Sequence, residues 1–87
     1  MSKRILIVED EPLIRENYAQ AIRKYGYEVQ AVADRATAMK ILSVRLPDLV
    51  ILDVSLKDDP EGGFEICRSL RAQSQLLPIL FLTALLT

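Results

Sequence analysis

Glu9, Asp10 and Glu11 follow directly on one short apolar run, Ile5 to Val8, and Asp53 follows directly on another, Leu49 to Leu52. A further run, Ile79 to Leu82, leads into Thr83 and Ala84, and Ser55 lies just past Asp53. Continuous apolar runs of this length read as strands buried on both faces of a parallel sheet. In open α/β sheets the functional crevice lies at the carboxyl ends of the strands, so these runs would deliver four carboxylates and two hydroxyls to one edge. Gathered carboxylates repel unless a cation joins them. A donor set of oxygens alone favours Mg2+, which takes one or two carboxylates together with waters and phosphate oxygens. A carboxylate beside such a cation is a competent nucleophile towards a phosphoryl group.

The chain has no histidine, which removes Ser-His-Asp and Cys-His catalysis and imidazole-based metal sites. Each candidate also has a plain structural role. An acid between strand and helix commonly caps the helix or complements its dipole, and a strand-terminal threonine commonly ends a turn. The joint occurrence at three strand ends is what argues for a site.

The elements that must hold these residues can be read from the apolar spacing. Besides the three runs above, Val29 to Val32 forms a fourth strand candidate. Ile14, Tyr18, Ala21, Ile22 and Tyr25 recur at helical spacing after the first run, with Pro12 suited to the first turn and Gly26 to the stop. Asp34 is a candidate N-cap for a second helix that buries Ala38, Ile41 and Leu42, and Pro47 closes the connection after it. A third helix beginning near Gly63 or Phe64 would bury Ile66, Cys67 and Leu70, and Pro78 opens the last strand. The order β-α-β-α-β-α-β predicts an α/β fold, a doubly wound parallel sheet with right-handed crossovers.

Eighty-seven residues suit one small domain. Eleven basic against twelve acidic residues leave a net charge of −1, which gives no electrostatic footprint for nucleic acid or an anionic membrane. Cys67 is the single cysteine, so no internal disulfide forms, and it reads as a small core residue. The start lacks the long apolar stretch of a secretory signal. The run from Leu76 to Leu86 is too short to cross a bilayer, which needs about 20 residues. A cytoplasmic location with no membrane contact is the expectation.

Four blocks in order, Ile5-Leu-Ile-Val-Glu-Asp-Glu-Pro12, Pro47-Asp-Leu-Val-Ile-Leu-Asp53, Gly63-Phe-Glu-Ile-Cys-Arg68 and Pro78-Ile-Leu-Phe-Leu-Thr-Ala84, resemble the receiver domain of bacterial two-component response regulators. The resemblance implies the flavodoxin-like strand order 2-1-3-4 for residues 1–87 as a single receiver domain. It implies that Asp53 is the phosphoacceptor and that Mg2+ is held by Asp10 directly, by Glu9 through water, by Asp53 and by the backbone carbonyl of Ser55. Thr83 resembles the switch hydroxyl that turns towards the phosphoryl group, and Ala84 the small residue that leaves room for it. The implied partner is a sensor histidine kinase or a phosphotransfer protein carrying phosphohistidine, and the implied role is that of a phosphoacceptor signalling domain rather than an enzyme.

Three departures from the family pattern stand out. The loop after Asp53 is about two residues longer than usual, with Lys57 where proline is common. The sequence ends at Thr87, before the fourth helix, the fifth strand with its lysine and the fifth helix, which together would take roughly 30 residues. The expectation is therefore a domain incomplete at its C-terminus, in which phosphoryl acceptance survives weakly and output by the usual route does not. Leu85-Leu-Thr87 replaces a polar stretch, so self-association through an uncovered edge strand is a further reading. Two alternatives compete: an interaction module independent of phosphorylation, and a Mg2+-dependent aspartyl phosphotransferase. The latter would want an acid two residues after its nucleophile, where Ser55 stands.

Overall fold

The computed structural model describes residues 2–53, 56 and 61–82. Four strands and three helices alternate: β1 (Arg4–Val8), α1 (Pro12–Arg23), β2 (Glu28–Val32), α2 (Arg35–Val44), β3 (Leu49–Asp53), α3 (Gly62–Gln73) and β4 (Ile79–Leu82). The strands form one parallel sheet in the order β2-β1-β3-β4, as the resemblance implies. The central strands β1 and β3 are buried on both faces along most of their length, as their apolar runs lead one to expect.

Side chains alternate across the sheet and divide the core in two. Leu6, Val8, Val50 and Leu52 point to the side of α2 and α3 and pack with Ala38, Leu42, Ile66 and Leu70. Ile5, Ile7 and Ile51 point to the other side and pack with Ala19 of α1. The edge strands are less buried, and for β4 this departs from the expected double burial. Alternate residues of β2 are exposed, and Leu80 and Phe81 of β4 are open to solvent. An apolar run gives no sign of whether a strand has one neighbour or two.

The helix stops follow local chemistry. Pro12 occupies the first turn of α1, where its missing N–H is not needed. Gly26 has a φ of +88, and a Cβ added there would meet nothing within 4 Å. Its glycine is therefore required by backbone conformation rather than by space. Asp34 caps α2 by accepting the Thr37 N–H at 2.8 Å. The third helix begins at Gly62, slightly ahead of the expected start, with Gly62 and Gly63 both buried.

The buried stripe of α1 is offset from the expected one. Ala19 is fully buried and Ile22 partly so, whereas Tyr25 is 82% exposed and Tyr18 40%. The small Ala19 side chain is the buried contact of the helix with the sheet, and the larger apolar residues Ile14, Tyr18 and Tyr25 lie more exposed. Cys67 is only partly buried, packed against the larger core cluster.

At the far end of α3, Arg71 holds the turn into β4. Its Nη1 donates to the carbonyls of Leu77 at 2.6 Å, Gln75 at 3.3 Å and Ser74 at 3.4 Å. No described helix is long and apolar enough to cross a membrane.

The core should show its weight in urea unfolding. Leu52 is wholly buried, and Leu52→Ala should cost about 2–5 kcal/mol. Leu76 is 92% exposed, and Leu76→Ala should stay within about 0.5 kcal/mol of the parent.

Candidate functional site

The register of β1 against β3 builds the site. Val8 pairs with Leu52, so the next residues, Glu9 and Asp53, stand side by side at the carboxyl edge of the sheet. The Glu9 N–H donates to the Val32 carbonyl at 3.0 Å, which ties the end of β1 to β2 as well. Asp10 follows in the turn before α1. One carboxylate oxygen from each of Glu9, Asp10 and Asp53 lies within 4.8 Å of the others. Glu9 is 5% exposed, and Asp10 and Asp53 are half-buried.

Of the residues read from the sequence, the structure thus brings together Glu9, Asp10 and Asp53. Glu11 stands apart as the exposed residue preceding α1. Leu82, the partner of Asp53 in β4, is the last described residue. Ser55, Lys57, Thr83 and Ala84 lie outside the described residues.

The electrostatics of the cluster are those of acids held together. The carboxyl of Glu9 is pushed up to about 7 from its ordinary 4.5. Burial is the largest cause, and the charge of Asp53, a hydrogen bond with Asp53 and the charge of Asp10 add to it. The Glu11 N–H, donating to Glu9 Oε1 at 3.2 Å, works in the opposite direction. Burial and two neighbouring carboxyl groups thus disfavour a negative charge on Glu9, and a bound cation would offset that cost. Three hard oxygen donors without imidazole or thiolate fit Mg2+.

Sequence reasoning missed Arg15. Its Nη1 donates to the carbonyl of Glu9 at 2.9 Å and to that of Asp10 at 3.5 Å. The available signal was a basic residue in the first turns of a helix, where the macrodipole disfavours positive charge.

The chain matches the family model for the response regulator receiver domain over residues 5–86. It is 41% identical over 85 residues to the alkaline phosphatase synthesis transcriptional regulatory protein PhoP of Bacillus subtilis, covering 97% of this chain and 34% of that protein. It is 39% identical over 85 residues to response regulator MprA of Mycobacterium tuberculosis, covering 97% and 36%. The chain thus spans about a third of the length of the curated relatives it matches. Among solved structures, the response regulator TrrA of Thermotoga maritima in complex with Mg2+-BeF superposes with a TM-score of 0.83 at 35% identity, covering 94% of this chain and 70% of that one. The non-phosphorylated HemR receiver domain of Leptospira biflexa gives 0.86 at 31% identity, covering 95% and 65%.

The raised Glu9 carboxyl makes metal-free stability fall as pH rises. An acid whose folded pKa lies above its unfolded value favours the fold in its protonated form. That contribution is complete below about pH 4.5 and is lost as pH rises through about 7. Unfolding in EDTA should therefore lose on the order of 3 kcal/mol from this group across that window, and Glu9→Gln should flatten the slope. Asp34, lowered mainly by the Thr37 N–H, acts in the opposite sense: its contribution is present above its unfolded value of 3.8 and is lost at lower pH, outside this window.

Proposed function

This chain belongs to the response regulator receiver domain family, and on that premise we propose that it accepts a phosphoryl group on Asp53 from the phosphohistidine of a sensor histidine kinase or phosphotransfer protein. The observation that carries the reading is the meeting of Glu9, Asp10 and Asp53 oxygens within 4.8 Å at the carboxyl edge of the sheet. In the transfer, an oxygen of the Asp53 carboxylate attacks phosphorus and the phosphorus–nitrogen bond of the donor breaks. The imidazole leaves with the electron pair and takes up a proton, and Asp53 becomes an acyl phosphate.

Asp53 stands at the end of a strand with its core side chains buried, so its carboxylate is presented with little freedom to lose. Asp10 would hold Mg2+ directly, Glu9 through water, and Asp53 and the backbone carbonyl of Ser55 would complete the protein ligands. The bound ion supplies neutralisation of charge on the transferring phosphoryl group and on the carboxylates around it. Thr83 is assigned the hydroxyl that turns towards the phosphoryl group, with Ala84 leaving room for it. The complex of TrrA with Mg2+-BeF supports this reading, because beryllofluoride on a carboxylate mimics an acyl phosphate.

The domain acts as a phosphoacceptor in a cytoplasmic two-component pathway and consumes only its own acyl phosphate. A phosphotransferase acting on external esters would want a general acid two residues beyond its nucleophile, and Ser55 occupies that place. Exposed Leu80 and Phe81 on β4 support self-association through that strand. The near-neutral charge supports no direct nucleic-acid contact by this segment.

Beryllofluoride binding followed by fluorine NMR tests the reading. With Mg2+ present, the wild-type chain should give a bound resonance and folded Asp53→Asn should give none. Absence of a bound signal from a folded wild type would overturn it. Asp10→Asn should weaken Mg2+ binding by about tenfold or more in a calorimetric titration while the circular dichroism spectrum is retained. A variant that bound as tightly as wild type would remove Asp10 from the ligand set.

A further inference from the structure

Arg15 lies early in α1, on the end of the helix where a positive charge is disfavoured. It is half-buried, so its placement has to be offset by specific contacts. Those described for its side chain go to main-chain oxygens rather than to carboxylates: the Glu9 carbonyl at 2.9 Å and the Asp10 carbonyl at 3.5 Å, both from Nη1. Its own backbone N–H donates to the Glu11 carbonyl at 2.9 Å. The Glu11 N–H returns to Glu9 Oε1 at 3.2 Å. Residues 9, 10, 11 and 15 thus close a small hydrogen-bonded circuit around the turn that leaves β1.

The consequence for the site is geometric. The Glu9 and Asp10 carbonyls held by Arg15 set the peptide planes on either side of Asp10, and with them the direction of the Cα–Cβ bond of Asp10 and of the backbone leaving Glu9. We propose that Arg15 is a positioning residue that locks the Glu9–Glu11 turn so that the Glu9 and Asp10 carboxylates face Asp53. This rests on the reading of the three carboxylates as a cation site. Arginine suits the task, since a planar guanidinium with a long reach can serve two carbonyls from a fixed orientation, whereas lysine offers a compact point charge on a flexible stem. The role is therefore one of direction, not of charge alone.

Arg15→Lys and Arg15→Gln separate the two. The first keeps the charge, and the second keeps an N–H donor without it. Each variant is compared with the wild-type chain by circular dichroism, by calorimetric titration with Mg2+, and by hydrogen exchange of the Glu11 amide in EDTA with the Ile7 amide as internal reference. Both variants should lose about tenfold in Mg2+ affinity, and the Glu11 amide should exchange faster relative to Ile7 even without metal. Full affinity in the lysine variant would overturn the proposal in favour of a charge effect. Unchanged Glu11 exchange in both variants would also overturn it, because the turn would then hold without Arg15. A folded wild type that binds no Mg2+, with Glu11 exchange still dependent on Arg15, would sink the cation reading of the cluster while leaving the hold of Arg15 on the turn in place.

Discussion

Ile5, Leu6, Ile7 and Val8 on β1 and Val50, Ile51 and Leu52 on β3 are buried side by side, and their pairing forces three carboxylates to meet where the strands end. Two unit charges 4.8 Å apart, the spacing that bounds this cluster, repel by roughly 3 kcal/mol at an effective dielectric constant of about 20. Burial of each such aliphatic side chain contributes about 1.5–3 kcal/mol. The core therefore decides the register, and the acids must accept the position it gives them. Burial first, and then the neighbouring charges of Asp53 and Asp10, hold the Glu9 carboxyl above its ordinary range.

The basic residues are used in an unusual way for a chain with almost balanced charge. Arg15 serves the carbonyls of Glu9 and Asp10, Arg23 that of Val29, Arg71 those of Ser74, Gln75 and Leu77, and Arg4 that of Leu46. The ion pair between Glu65 and Arg68, at 2.9 Å on the surface, belongs to a class that contributes little. These guanidinium groups act as staples, donating to main-chain carbonyls on connecting segments and, for Arg23, on the edge strand β2. At the acidic cluster, Arg15 makes contacts of this kind with the main chain of Glu9 and Asp10.

Much of this was legible in the sequence because strand ends are fixed by where apolar runs stop. Val8 and Leu52 mark two such ends, and Glu9, Asp10 and Asp53 follow without ambiguity. Pro12, Gly26 and Asp34 each have one physical role that matches the local backbone, so the helix limits were readable too. The buried face of α1 was not, because Tyr18 and Tyr25 share helical spacing with Ile14 and Ile22, and periodicity does not say which of two adjacent stripes meets the sheet. The exposure of β4 escaped for a related reason: an edge strand and a central one can carry the same residues. Arg15 was invisible as a site residue because its partners are carbonyl oxygens, which every residue possesses.

The separation along the chain of the two halves of the cluster has a kinetic side. The N–H of Arg4 reaches the carboxylate of Asp48 across 44 positions, and the joining of β1 to β3 spans a similar loop, whereas β1 meets β2 over a much shorter one, Arg4 with Glu28. Contacts distant in sequence form slowly because a long loop must close before they reward it. The β1–β2 pairing closes the shorter loop and the β1–β3 pairing, which brings Asp53 to Glu9 and Asp10, the longer one. Mutual repulsion thus falls on a late event, the docking of β3. A cation able to bridge the three carboxylates would stabilise the product of that docking, so the ionic composition of the surroundings would shift the share of chains in which β3 is docked.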